Sequence, residues 1–190
     1  QKSDLFSVAT VRFFEFSKEY GIIGLMTPFT WMFLQSYEDL RHLFLNEKTL
    51  LSLIHPEYHA IWSSAAVPIC AFIIQNGALK RHQSSFIKLT DFVGEEIQPI
   101  KALEAIKNPQ CGWMYRAFSD DFKSIPGNPI AYWMSGNVRN VFKMGVPLGD
   151  IASPRKGNST SDNNRFLRFW PEVSMARTGI GLNLYSSEYR

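Results

Sequence analysis

One short stretch limits the choices for this chain more than any other. Gly21-Ile22-Ile23-Gly24-Leu25-Met26 is an unbroken run of apolar or small residues closed by Thr27-Pro28, which is how a strand covered on both faces reads. It is flanked by helical patterns. Before it, Leu5, Val8, Val11, Arg12 and Phe16 fall near helical spacing, with Ser3-Asp4 as a cap and Gly21 just past Tyr20 as a stop. After it, from Thr30, a stripe of Trp31, Phe33, Leu34, Tyr37, Leu40, Arg41, Phe44 and Leu45 predicts a second helix, with Tyr37-Glu38-Asp39 and Arg41-His42 on the wetter side. Two further strands follow, Thr49 to Ile54 and Ala66 to Ile74, close enough to pair antiparallel. Helix, strand, helix, strand, loop, strand is the cadence of half an α/β sheet.

Beyond this half-sheet the composition changes. Gln75 to Ser85 is polar and turn-like, Phe86 to Val93 reads as a strand, and Glu95 to Lys107 as an amphipathic helix. Ser124-Ile125-Pro126-Gly127-Asn128-Pro129 is loop chemistry, Ser135 caps a short helix reaching Met144, and Pro154 to Asn164 is a long polar loop. A domain boundary is therefore expected between Asn76 and Asp91. At 190 residues, with 45% hydrophobic and 19% charged side chains, the chain buries a core without disulfides or metals. Cys70 and Cys111 are too few for a disulfide framework, which suits a reducing, cytoplasmic setting. No apolar run approaches the roughly 18 residues of a membrane span. The first residue is Gln1, and a helical pattern begins almost at once, so the chain reads as a piece of something longer.

Charge is uneven. Residues 1–79 carry five Lys/Arg against seven Asp/Glu, residues 80–190 fifteen against ten. Between Asn137 and Trp170, Arg139, Lys143, Arg155, Lys156, Arg165 and Arg168 face only Asp150 and Asp162. A local cationic excess in a turn-rich segment suits a polyanion, as it also suits a merely solvated face. Within it, Arg155-Lys156-Gly157-Asn158-Ser159-Thr160 and Asn163-Asn164-Arg165 through Arg168 combine charge, short donors and approachable backbone. Those are the needs of phosphate recognition, and Arg, Asn and Ser/Thr also read base edges. His55-Pro56-Glu57-Tyr58-His59 lacks the spacing of a zinc protease site and reads as a loop with two histidines and no metal. No phosphate-binding glycine loop or nucleophile elbow occurs.

Two segments resemble a known family when taken together. Lys2-Ser3-Asp4-Leu5-Phe6, then Gly21 through Pro28, then Trp31 and Leu40-Arg41, resemble the stretch after the catalytic Asn-Pro-Pro-Tyr of TaqI-like adenine-specific DNA methyltransferases. Gly149 through Gly157 and Asp162 through Arg168 resemble the opening of their target-recognition region. The likeness is greatest to the methyltransferases of BREX phage defence (PglX type) and to fused restriction-modification enzymes.

The resemblance implies an α/β chain: the carboxyl-terminal half of a Rossmann-like S-adenosylmethionine-dependent methyltransferase sheet, followed by an α+β segment opening a target-recognition domain. Residues 1–80 would close the catalytic domain and 81–190 would form the linker and the start of the DNA-binding region. The activity implied is methyl transfer from S-adenosyl-L-methionine to the exocyclic amine of a flipped adenine. The Asn-Pro-Pro-Tyr and the cofactor loop are absent, so no catalytic residue falls in this chain and the piece alone would be inactive. Leu25, Thr27, Pro28 and Trp31 would border the target base, and Lys2, Asp4 and Phe6 would lie on the cofactor side. Arg155, Lys156, Gly157, Asn158, Thr160, Asn163, Arg165 and Arg168 would meet double-stranded DNA. Restriction or defence-system subunits are the other implied partners. The alternative is a non-catalytic DNA-binding or assembly module on the same scaffold, motivated by Leu25 and Ala9 where the family often has aromatic residues.

Overall fold

The computed structural model describes residues 4–58, 68–153 and 163–177. They divide into two compact units, Gln1–Gly145 and Val146–Arg190. The first contains a mixed five-stranded sheet in the order β1-β3-β2-β4-β5. Helix α1 (Leu5–Phe16) leads into β1 (Ile22–Pro28), and α2 (Glu38–Asn46) into β2 (Thr49–His55). Strand β3 (Ile69–Gln75) lies antiparallel between β1 and β2, pairing Leu25 and Leu53 with Phe72. The expected hairpin is therefore present, with β3 inserted beside the earlier strand as well.

Strand β4 (Gln83–Lys88) runs parallel to β2, and β5 (Met114–Phe118) pairs antiparallel with β4. The sheet thus passes straight through residues 76–91, where the composition shift suggested a boundary, and the compact unit continues to Gly145. The polar stretch there carries the chain from β3 past β2 to β4. It ends sooner than expected, because β4 begins at Gln83, and the strand stops at Lys88 rather than Val93. Strand β5 was not anticipated; it has only five residues and buries only Ala117 fully.

Strand β1 is not covered on both faces. Ile22 is 67% and Met26 59% exposed, and only Thr27 is buried. The reason is position: β1 is the edge strand, and no described residue pairs with its outer side. The buried strand is β3, where Cys70, Phe72 and Ile74 are almost fully enclosed.

Asp4 occupies the N-cap position of α1, but its carboxylate is taken by the Tyr37 hydroxyl and caps no helix N–H. At the other end, Asn76 donates from Nδ2 to the carbonyls of Phe14 and Ser17 at 3.0 and 3.1 Å, satisfying acceptors that a helix end leaves open. Gly21 follows because a Cβ there would stand 2.9 Å from the Lys18 carbonyl oxygen. The helix expected from Thr30 to Leu45 is broken into two 3-10 turns, Phe29–Met32 and Gln35–Tyr37, before α2. Arg41 accounts for the break, since it takes the Trp31 and Leu34 carbonyls that a continuous helix would use internally.

The core joins one face of the hairpin to the later segment: Trp31, Phe44, Leu53 and Phe72 pack with Phe86, Phe122, Ile130 and Tyr132. Burying each such large side chain contributes about 1.5–3 kcal/mol. Helix α3 (Ile97–Lys107) closes a smaller cluster around Leu89 and Ala105. The short α4 (Ser119–Lys123) follows β5, and α5 (Gly136–Met144) starts as expected at Ser135, whose hydroxyl oxygen accepts from Val138 N–H. The second unit holds two four-residue helices, α6 (Leu148–Ile151) and α7 (Asn163–Phe166), with 3-10 turns at Trp170–Glu172 and Met175–Arg177.

Candidate nucleic-acid interface

Strands β1, β2 and β4 point the same way, so Pro28, His55 and Lys88 end at one edge of the sheet. Ligands of open α/β sheets bind outside the carboxyl ends of the strands. An aromatic group gathers there. Phe29 meets the His55 ring edge-on at 4.6 Å, and Phe33 lies 6.2 Å from His55 and 5.7 Å from Trp133. Trp133 stands nearly perpendicular to Tyr132 and is 40% exposed. His55 is buried, contrary to its expected place in an open loop, and its Nδ1 lies 3.0 Å from the Tyr132 hydroxyl. Burial, then the charge of Lys88, pushes its pKa down to about 4, so the imidazole is neutral near pH 7. Burial raises the Tyr132 hydroxyl, so this pair stays uncharged. His59 lies outside the described residues.

The residues expected to border a target base divide. Thr27 and Pro28 do close β1 at this edge, with Thr27 8% exposed. Leu25 is partly buried and packs on the core from within the strand. Trp31 offers no face to a ligand: it is 1% exposed and wedged between Phe44 and Phe72, each 5.1 Å away. An indole following a strand end is drawn inward here because the 3-10 turn points it under the sheet.

The residues that complete this edge follow the Ser124–Pro129 loop and carry no expectation from sequence. Ile130 N–H donates to the Met32 carbonyl, and Tyr132 stacks on Phe86 at 4.7 Å. Arg41, which the pattern places both in the apolar stripe and at its wetter margin, is 1% exposed and holds the segment down. Its Nε and Nη2 donate to the Gly127 carbonyl at 2.9 and 2.6 Å, and Nη1 donates to Trp31 and Leu34 carbonyls at 2.8 and 2.7 Å. Burial lowers its pKa against the opposing pull of Glu38, yet a guanidinium remains charged. Spacing could not reveal this role, because the partners are backbone oxygens, one of them 86 positions away.

On the expected cofactor side, Lys2 lies outside the described residues. The Asp4 carboxylate accepts from Tyr37, and the Phe6 ring tilts on Tyr37 at 5.4 Å. Both are thus engaged with Tyr37. Of the cationic segment, Arg155, Lys156, Gly157, Asn158 and Thr160 lie outside the described residues. Asn163 opens α7; Arg165 and Arg168 are exposed. Arg168 Nη1 donates to the Asn164 and Leu167 carbonyls, which orders the side chain without neutralising it. Arg139, by contrast, is paired with Asp121 at 3.3 Å.

Comparison with known proteins gives these observations a context. Residues 1–62 match the Eco57I restriction-modification methylase family. Over 175 residues the chain is 33% identical to the adenine-specific methyltransferase PglX of Lacticaseibacillus casei (strain Zhang), covering 90% of this chain and 14% of that protein. Over 177 residues it is 34% identical to the adenine-specific methyltransferase BrxX of Escherichia coli O9:H4 (strain HS), covering 92% and 14%. The methyltransferase subunit of a type I restriction-modification system from Streptococcus thermophilus aligns with a TM-score of 0.45 at 15% identity, over 57% of this chain and 25% of its own. The chain is thus similar to adenine-specific methyltransferases, and its first 62 residues match a restriction-modification methylase family. Its similarity along nine tenths of its length is to the PglX and BrxX proteins, of whose length it spans 14%.

Proposed function

We propose that this chain is the carboxyl-terminal part of the catalytic domain, and the beginning of the target-recognition region, of a cytoplasmic DNA adenine methyltransferase serving restriction-modification or phage defence. The observation that carries the reading is the relation to two adenine-specific methyltransferases over nine tenths of the chain. Residues 1–80 supply the catalytic domain's strands β1 to β3, and residues 81–190, which add β4 and β5 to the same sheet, lead into DNA recognition. S-adenosyl-L-methionine supplies the methyl group in this family. Asp4 and Phe6, already engaged with Tyr37, act behind the cofactor site as support for α1. At the carboxyl edge, Thr27 and Pro28 shape the border of the base pocket, and the uncharged His55–Tyr132 pair keeps its wall apolar. Arg155, Lys156, Asn163, Arg165 and Arg168 meet the duplex backbone, with Gly157, Asn158 and Thr160 letting it come close.

The test uses the full-length protein. Incubated with S-adenosylmethionine and host DNA, it should form methyladenine above a control whose Asn-Pro-Pro-Tyr is disrupted; equal signals would leave the scaffold as a binding or assembly module. Arg155→Ala with Lys156→Ala should weaken DNA binding across sequences and reduce its salt slope by about 2, one for each lost phosphate contact. An unchanged slope would place the loop away from DNA.

A further inference from the structure

A cavity of about 890 Å³ lies at the opposite end of the sheet from the carboxyl edge. Lys48, immediately before β2, and His82, immediately before β4, line it together with Phe118 at the end of the antiparallel β5. It is therefore a different site from the one assigned to the target base. The volume falls within the range of small-molecule sites.

The charges around it are not balanced. Lys123 is paired with Asp120 at 3.1 Å, and Asp121 already accepts from Phe118 N–H and faces Arg139. Lys48 is spent on Asn76 at 2.7 Å and on the Phe14 ring. Lys80 and Arg81 are left exposed, with no hydrogen bond or ion pair among the described residues. Arg81 also holds a left-handed backbone (φ 58°), a conformation that non-glycine residues adopt sparingly and that recurs at ligand sites. The neighbouring His82 has a buried Nε2 with no hydrogen-bond partner. The cations do not hang on a loose loop. Thr49 Oγ1 accepts from Leu79 N–H and donates to the Gly77 carbonyl, both at 2.8 Å, so the turn that carries them is tied to β2.

Two uncompensated cations beside an apolar wall call for a ligand with a flat apolar body and an anionic tail. The wall is supplied by Leu79 and Phe118, 41% and 42% exposed. We infer that this cavity binds a nucleoside polyphosphate, its base against Phe118 and Leu79 and its phosphates on Lys80 and Arg81. A bare polyanion would leave the apolar wall unused, and an apolar ligand would leave the cations unmatched. The inference goes beyond methyl transfer and does not depend on it, since none of these residues belongs to the base pocket or the DNA-facing loop.

The probe is N-methylanthraniloyl-ATP, titrated into the full-length protein by fluorescence with S-adenosylmethionine present in saturating amount. Saturable binding that persists under those conditions is expected, which separates this cavity from the methyl-donor site. Lys80→Ala and Arg81→Ala should each weaken it about tenfold or more, as expected for loss of a charge-assisted contact. Lys80→Arg should restore it, which excludes a folding defect. Adenosine or tripolyphosphate alone should compete at least about tenfold less well than ATP. Absence of saturable binding, its loss on adding S-adenosylmethionine, or indifference to both alanine variants would overturn the assignment. So would tripolyphosphate competing as well as ATP, because the cavity would then be a polyanion site.

Discussion

Replacing Arg41 with methionine removes the guanidinium while nearly keeping the volume of the side chain, so the effect reports the lost hydrogen bonds rather than a cavity. Three carbonyls, those of Trp31, Leu34 and Gly127, lose their donors together. Each buried acceptor left unmatched costs about 1–3 kcal/mol, but the several kcal/mol spent on desolvating the cation is recovered. Three such acceptors cost about 3–9 kcal/mol together, and recovery of the desolvation leaves a net loss of about 3 kcal/mol. Its site is local: the Gly127 turn, and the Ile130 N–H that donates to Met32, are what Arg41 holds in place. Hydrogen exchange measured by mass spectrometry should show protection of Ile130 falling about 100-fold or more, since 1.4 kcal/mol is a factor of ten. Amides in the centre of β3, such as Phe72, should change much less. A loss of protection under about fivefold at Ile130, about 1 kcal/mol, would refute the clamp and make Arg41 a spectator.

Two other substitutions test different parts of the scaffold. Asn76→Ala removes a cap from the carbonyl end of α1 and a partner of Lys48, and should lower the urea midpoint by an amount equivalent to about 1–2 kcal/mol with an unchanged m-value; an unmoved midpoint would show that water replaces it without loss. His55 titrates near 4 in the folded protein and near 6.5 when exposed, so the unfolded chain takes up the proton first. Its contribution to stability should be complete above about pH 6.5 and fall by as much as about 3 kcal/mol as the pH drops towards 4. His55→Gln should flatten that part of the pH profile, and a wild-type profile already flat between these values would contradict a buried neutral imidazole.

Much of the first half was legible because its order follows hydrophobic period. Runs such as Ile22–Met26 and Thr49–Ile54 reached their strands within a few residues, and the antiparallel hairpin followed from the short interval between β2 and β3. What period could not show was which strand lies in the middle. Ile22-Ile23-Gly24-Leu25-Met26 reads as buried, yet it is at the edge, since burial depends on neighbours that local pattern does not name. The same limit left Arg41 and Tyr37 undecided between the apolar stripe and its wetter margin. Each is buried because distant groups, the Gly127 carbonyl and the Asp4 carboxylate, satisfy it. Of the candidate site, Thr27 and Pro28 were placed correctly at a strand end, whereas Trp31 went into the core. The Ile130–Trp133 contribution was missed, because the Pro, Gly and Asn of the loop before it do not show where the chain returns to the sheet.

The outward side of β1 has a practical consequence for anyone preparing this segment on its own. A seven-residue ribbon with Ile22 and Met26 exposed and an outer row of amides and carbonyls that no described strand takes is a template for zippering onto another chain. Expression of the isolated piece should end in inclusion bodies or ladder-like oligomers. Soluble material should come only when a designed blocking strand, or a lysine or proline set into that rim, silences the template.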